Sequence, residues 1–269
     1  MMNEAMRRAM MEKDLGVLRE RGFDAARVTG KRKMMLDAWR GNVMQGEFDH
    51  IEDYIWPGKA AIDAGANVGH YSLKMAACCA EVLAVEPVAE LGWLAESLPD
   101  NCHFAACALG EKPGEAELNI PLNDEGGDMH GVSSFTDLRQ HGYDRFRKQI
   151  TAVRRLDDVV AEVMPDVAIG FMKIDVEGWE VEVLLGASGI IETHRPNLQV
   201  EIWPHQMPEV AQVIEAMGYR GLFYFDHVLH SLSAFDHAIH TAPENDWDKE
   251  HPERFRPELH VNNFFFVPA

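Results

Sequence analysis

The sequence predicts an α/β protein built on a doubly wound, mostly parallel sheet. Three observations carry that expectation. Short apolar strands alternate with helical runs from residue 60 to 202, a rhythm that places crossover helices between parallel strands. The stretch "AIDAGANVGHYS", Ala61 to Ser72, runs a strand through a glycine-bearing turn into a helix. "MKIDVEGWEVEVLLGA", Met172 to Ala187, hands a buried strand over to a helix through a lysine and two carboxylates. Ligands of such sheets gather at the carboxyl ends of the strands, so Asp175 and Glu177 face a crevice.

Taken in order, residues 1–45 read as helical, with Met6, Met10, Leu15 and Leu18 at helix spacing and breaks at Gly22 and Gly30. "EFDHIEDYIW" (47–56) reads as one more amphipathic helix, stopped by Pro57-Gly58. "AAIDAG" (60–65) is a strand, followed by a helix from about His70 to Ala77. "EVLAVEP" (81–87) is the second strand, "AELGWLAESL" (89–98) the second helix and "CHFAACAL" (102–109) the third strand, with "GEAELNI" (114–120) its extended continuation. Residues 121–149 are rich in Gly, Asp and His and break the alternation. Order resumes at "TAVRRLDDVV", then strand "DVAIGFMKID" (166–175), the helix after it, strand "LQVEI" (198–202), helix "PEVAQVIEAMG" (208–218) and strand "YRGLFYF" (219–225). A polar, His-rich stretch spans 226–258, and "HVNNFFFVP" closes the chain as a strand, which allows an antiparallel edge hairpin.

The formal net charge of −19 disfavours nucleic acid and anionic membranes as partners, both being polyanions. Residues 1–40 run against it, with ten Lys/Arg against six Asp/Glu, and read as a solvated helical face. No apolar run reaches a membrane span and the start lacks a signal-peptide core, so a cytoplasmic protein is expected. Cys78, Cys79, Cys102 and Cys107 match no common zinc spacing and read as reduced, small hydrophobes.

The glycine loop is the most informative stretch. Gly65 and Gly69 permit a tight turn and close backbone approach, and the helix start offers N–H groups to a carboxylate. The middle glycine of the dinucleotide fingerprint is missing. Asp63, two residues before Gly65, would repel a pyrophosphate and suits a cationic ligand. Glu86 ends the second strand, where a carboxylate accepts both hydroxyls of a ribose. A ribose, a carboxylate and positive charge together describe S-adenosyl-L-methionine.

"DAGANVG" (63–69) and "EP" (86–87) resemble the first two motifs of class I methyltransferases. "VRRLDDVV" (153–160), "MKIDVEGWEVEVLLGA" and "PNLQVEI" (196–202) resemble the FkbM family of S-adenosylmethionine-dependent methyltransferases, over roughly residues 47 to 225 plus the final strand. The resemblance implies a seven-stranded sheet of order 3-2-1-4-5-7-6 and O-methylation, commonly of sugar or polyketide hydroxyls. It divides the chain into an N-terminal helical extension (1–46) and a methyltransferase domain (47–269), with 121–149 and 226–258 as substrate-side insertions.

On this reading Asp63, Gly65, Ala66, Asn67, Gly69 and Glu86 hold the cofactor, and Tyr71 and Ser72 reach its methionine end or serve packing and capping. Adenine is expected near Cys107 and Ala108, through backbone contacts, and Ser133 and Ser134 of "GVSSF" sit where the family often has a serine. Methyl transfer to a hydroxyl needs alignment and a general base. Asp175 is expected to orient the methionine amine or the acceptor, ionised by a salt bridge to Lys173 on the same strand face. Glu177 is expected to face the acceptor as the base, against the alternative that it only caps the following helix. Glu201 and His205 are further candidates for the base. Magnesium on Asp175 and Glu201 is a thin case, and the His227/His230 and His237/His240 pairs read as a solvated or pocket-lining stretch, so no metal is expected. His130 and His141 are read as part of a lid.

The competing functions are a cofactor-binding scaffold or sensor and a nucleotide-dependent oxidoreductase, the latter opposed by Asp63 and the missing glycine. A base-directed N-methyltransferase would show an Asn/Asp-Pro-Pro-aromatic string where this chain has Asp-Val-Glu. The acceptor itself, beyond a small molecule or glycan with a free hydroxyl, and the oligomeric state are not encoded legibly.

Overall fold

A computed structural model describes residues 46–241 and 257–269, together with seven helical positions between 9 and 20. The rest of the expected extension over 1–46 lies outside the described residues. Strand β1 (Ala60–Ala64) leads through α1 (His70–Cys78) to β2 (Val82–Val85), and α2 (Leu94–Ser97) leads to β3 (Cys102–Ala105). β4 (Ala108–Leu109), β5 (Gly114–Pro121) and β6 (Phe146–Arg154) follow, then α3 (Leu156–Val163), β7 (Ile169–Ile174), α4 (Glu180–Gly186), α5 (Ser188–His194) and β8 (Asn197–Glu201). The chain continues through α6 (Met207–Ala216), β9 (Tyr219–Phe225), β10 (Val228–Ser231) and α7 (His237–His240) to β11 (Asn263–Pro268).

The main sheet has eight strands, ordered β10-β9-β11-β8-β7-β1-β2-β3, and β4-β6-β5 form a second sheet of three. The expected seven strands and their order are corrected by β10, which hairpins onto β9 and takes the edge. Asp226 and His227, both at positive φ, make that two-residue turn. β11 is antiparallel to both neighbours, β8 and β9, and so lies inside the sheet. Its three phenylalanines explain the position. Phe264 and Phe266 pack into one core and Phe265 into the other, all buried, which only an interior strand permits.

The same alternation sorts β1. Ala60, Ile62 and Ala64 join the core under α3 to α6, and Ala61 joins the core under α1 and the 3-10 helix Gly46–Asp53. Asp63 therefore points toward α1, as do Lys173 and Gln199, its partners in register across β7 and β8. A row of three polar side chains crosses the sheet just below its carboxyl edge, and the site is built on that row.

Three further expectations are corrected. The strand at 102–109 breaks in two, because β4 leaves the main sheet and pairs with β6. The helix at 89–98 shrinks to a 3-10 turn, Ala89–Leu91, and the four residues of α2, with Gly92 interrupting and Pro99 following. Residues 46–53 are a 3-10 helix, not an α-helix over 47–56. The insertion at 121–149 also contains the start of β6, whose long pairing with β5 makes a hairpin beneath it.

Candidate active site

The loop after β1 is stitched to its neighbours by backbone bonds. The N–H groups of Gly65 and Ala66 both donate to the Val85 carbonyl, at 3.0 Å, and Asp175 N–H donates to the Ala64 carbonyl at 3.0 Å. Gly65, Asn67 and Gly69 all have positive φ, so the chain curls tightly enough to aim Asn67 N–H at Glu86 Oε2, 2.8 Å away. Glu86 Oε1 accepts from Val88 N–H at 2.9 Å. Burial pushes the Glu86 carboxyl up to about 7, against the two N–H groups, which favour its charged form.

Under the loop lies the polar row. Asp63 is fully buried; its Oδ2 accepts from Ser72 Oγ at 2.6 Å and its Oδ1 finds no partner. Lys173 Nζ sits 2.7 Å from Asp175 Oδ2 and 4.5 Å over the Tyr71 ring. Burial alone would lower the lysine's pKa, but the Asp175 and Asp63 carboxylates outweigh it and the ammonium is stabilised. Burial raises Asp63, opposed by Lys173. Tyr71 donates to Glu47 and accepts from Gln199, which closes the row from behind.

Glu177 is held at several points. Its φ is +54, its carbonyl accepts from Ser134 Oγ and its Oε2 accepts from Trp203 Nε1 at 3.1 Å. The N-cap of α4 is Trp179, with no side-chain cap bond among the described residues, and Glu180 Oε1 accepts from Gly178 N–H at 3.0 Å. Burial first, then the Asp175 and Glu180 charges, push the Glu177 carboxyl well above the ordinary range. Glu201 is pushed the same way by burial, Asp175 and Glu177, and it accepts from the side-chain amides of Asn262 and Asn263.

Two cavities meet at Glu177. The first runs from Glu86 past Cys107, Ala108 and Leu109 to Asp175, between the Gly65–Asn67 loop and a roof of His130, Gly131, Ser133 and Phe135. The second is lined by Val132, Leu138, Tyr143, Trp203, Pro204 and His205 with Glu177. Arg147 ties the roof down. It pairs with Asp128 through Nε and Nη2, at 2.9 and 2.7 Å, and with Glu90 at 2.6 Å. Gln149 on the same strand donates to the Pro87 carbonyl and accepts from Ala89 N–H.

Of the residues singled out from the sequence, Gly65, Asn67, Glu86, Cys107, Ala108, Asp175 and Glu177 line the first cavity, and His205 lines the second. Asp63, Ala66, Gly69, Tyr71, Ser72, Lys173 and Glu201 line neither; they form the layer beneath and beside it. Ser133 lines the cavity where Ser134 was expected, since Ser134 is turned inward onto Glu177 and Thr136. Sequence reasoning missed Trp179, Phe135 and Leu118, which wall the cavity beside Cys107 and Leu109. Their apolar character looked like ordinary core.

The H-x2-H pairs do not assemble. His240 packs among Phe223, Phe225 and Phe235, and His227 lines a small separate pocket near His50. Among the described residues one group, Glu90, Asp128 and His130, has metal-ligand spacing; Arg147 already bridges its two carboxylates. No helix among the described residues is long and apolar enough to cross a membrane.

One family model, described as Methyltransferase FkbM domain, matches residues 63–221. No curated protein matches the chain. Among solved structures, a methyltransferase FkbM from Methylobacillus flagellatus KT is 15% identical with a TM-score of 0.46, over 78% of this chain and 44% of that one. The chain thus spans less than half the length of that protein. A precorrin 8W decarboxylase from Methanobacterium thermoautotrophicum is 12% identical with a TM-score of 0.39, over 81% and 87% of the two chains. A precorrin-6y C5,15-methyltransferase from Geobacter metallireducens GS-15 is 9% identical with a TM-score of 0.35, over 81% and 82%.

Proposed function

The chain belongs to the FkbM methyltransferase domain family, and from that premise we propose that it is an S-adenosyl-L-methionine-dependent O-methyltransferase acting on a carbohydrate-like or polyketide-like hydroxyl. The observation that carries the proposal is the position of Glu177, a carboxylate common to the two cavities.

The residues of the first cavity fit the cofactor. Glu86 stands at one end for ribose hydroxyls, and Leu109, Leu118, Phe135 and Trp179 offer apolar faces to a flat base. Beneath it, the buried Asp63 leaves Oδ1 without a hydrogen-bond partner among the described residues, an acceptor beside the space a cationic ligand would enter. Bound there, the cofactor supplies a methyl group activated by a sulfonium.

The protein's own contribution is alignment and proton removal. Asp175, paired with Lys173 at 2.7 Å, lines the first cavity beside Glu177. Trp203 and Ser134 hold Glu177 facing the second cavity, where it takes the proton of an acceptor hydroxyl. The wall of that cavity formed by Trp203 and Tyr143 supports a carbohydrate-like acceptor, because an aromatic face suits the apolar face of a sugar ring.

Calorimetric titration tests the reading. S-adenosyl-L-methionine is expected to bind and NAD not to, with conversion to S-adenosylhomocysteine when a hydroxylated acceptor is supplied. Binding of NAD alone would return the oxidoreductase, and binding of S-adenosyl-L-methionine without turnover on any hydroxyl would return the scaffold.

A further inference from the structure

We infer that Glu177 becomes a base through the arrival of the donor: it gives up its proton to solvent when a cationic ligand occupies the space beside Asp175, and the Trp203 indole N–H holds the resulting carboxylate. This rests on the cofactor reading above and adds the moment at which the proton leaves.

The charges around Glu177 come from every element packed on it. β7 and the turn after it supply Lys173 and Asp175, α4 supplies Glu180, β8 supplies Glu201, and the insertion supplies Tyr143. Glu47 and Asp63 stand behind, within reach of Lys173. Lys173 is the cation these acids share, and its ammonium is 2.7 Å from Asp175. No cation among the described residues lies within ion-pair distance of Glu177. Ionising Glu177 in that setting sets a second negative charge beside Asp175, with Lys173 already paired to Asp175 and offsetting it only in part, so the surroundings favour the protonated carboxyl.

Its hydrogen bonds are arranged for the other state. Trp203 Nε1 can only donate, and a donor aimed at Oε2 favours the carboxylate. Oε1 takes no hydrogen bond among the described residues, which leaves it for the acceptor. Ser134 pins the Glu177 carbonyl and Gln206 Nε2 pins that of Gly178 at 2.9 Å, which holds the part-exposed carboxyl in place at the cavity. Glu177 is thus an acid by its surroundings and a base by its contacts, and one positive charge separates the two.

The balance closes over a cycle. Donor binding brings one positive charge and Glu177 releases one proton, so the charge of the cavity is unchanged. Glu177 then takes the acceptor's hydroxyl proton as the oxygen–carbon bond forms and the sulfur–carbon bond breaks, with its electron pair staying on sulfur. The product is a neutral thioether beside a neutral Glu177, which is the ligand-free charge state again. The single proton that O-methylation must release therefore leaves at binding and not at the chemical step.

The test needs no acceptor. Wild-type protein is titrated with S-adenosyl-L-methionine and with S-adenosylhomocysteine at pH 7 in phosphate and in Tris, whose ionisation heats differ. Up to about one more proton is expected to be released with the cationic ligand than with the neutral one. In Glu177→Gln that excess vanishes while S-adenosyl-L-methionine still binds, and the difference removes any contribution from the ligand's own amine. In Trp203→Phe the excess falls while affinity for S-adenosylhomocysteine stays within about twofold, as expected when only a stabiliser of the carboxylate is lost. Equal proton release for the two ligands in the wild type, or an excess that survives in Glu177→Gln, overturns the inference and leaves the cofactor reading standing. Failure of S-adenosyl-L-methionine to bind at all overturns both.

Discussion

A Cβ on Gly65 would lie 1.8 Å from the carbonyl oxygen of Asp175. The two strand ends that carry the glycine loop and the acids Asp175 and Glu177 touch backbone to backbone, and the glycine exists for that contact as much as for any ligand. Its φ of +83 adds a second reason. Gly65→Ala is expected to cost roughly 2–5 kcal/mol, from overpacking and left-handed strain together. Thermal melting of the purified variant should fall by about 10 °C; a melt within a degree of wild type would mean that the two strands can part freely.

Glu86→Gln keeps the shape of a side chain that accepts from Asn67 and Val88 and removes its charge. Affinity for S-adenosyl-L-methionine should fall by about 1–3 kcal/mol, the cost of losing a charge-assisted bond to a ribose. Asp63→Asn, one layer deeper, should weaken the cationic ligand more than S-adenosylhomocysteine, and titration of both variants with both ligands reads the difference.

Glu177→Gln should slow turnover by roughly 10²–10⁴, the usual contribution of a positioned general base. Release of S-adenosylhomocysteine with a hydroxylated acceptor measures it. Wild-type turnover in this variant would move the role of base to Glu201 or His205.

Stability should fall as the pH rises from about 4.5 to about 7. Burial raises Glu47, Glu86 and Glu180 to about 7 in the folded protein, so in that window the native state holds protons that the unfolded chain has lost. The stabilisation is complete below the unfolded value of 4.5 and is lost as each group ionises. Glu47 alone is worth roughly 3 kcal/mol across it. Asp128 and Glu52 are shifted downward, so their opposite effect falls at more acidic pH. His70, pushed down to about 3 by burial, opposes the glutamates within the window up to its unfolded value of 6.5 and is one group against three. Denaturant melts at pH 5 and 7.5 without ligand should rank pH 5 higher, and Glu47→Gln should flatten the slope.

Arg147→Ala should release the roof from Glu90 and Asp128 without touching the eight-stranded sheet. Limited proteolysis within residues 122–145 is expected to quicken several-fold, and S-adenosyl-L-methionine to bind several-fold more weakly, since the roof supplies His130, Gly131, Ser133 and Phe135 to the cavity. Unchanged cleavage would locate the restraint in the Gln149 contacts instead.

What the sequence made legible was local. Gly65, Glu86, Asp175 and Glu177 announce themselves because strand ends, turns and helix starts have signatures a few residues long. The roof had no periodicity to read, so His130 was visible only as part of a lid and Phe135 not at all. Ser133 and Ser134 show a finer limit, since which of two neighbours faces a cavity depends on a loop's path and not on its residues. The Trp203–Glu177 bond joins residues 26 apart in the chain, on two strand ends that only the fold makes neighbours. Three consecutive phenylalanines did encode an interior strand, and the expected order 3-2-1-4-5-7-6 already set the closing strand between its two neighbours. The short polar strand β10, which takes the edge beyond β9, had no comparable signature.

The place of β11 has a consequence for biosynthesis. β8 and β9 leave the ribosome before it, yet they are not hydrogen-bonded to each other, and the slot between them stays open until β11 arrives. A nascent chain therefore shows two bare strand borders, the kind of surface that chaperones shield. The same strand brings Asn263, with Asn262 just before it, to steady Glu201, so that wall of the crevice is finished only once β11 has docked.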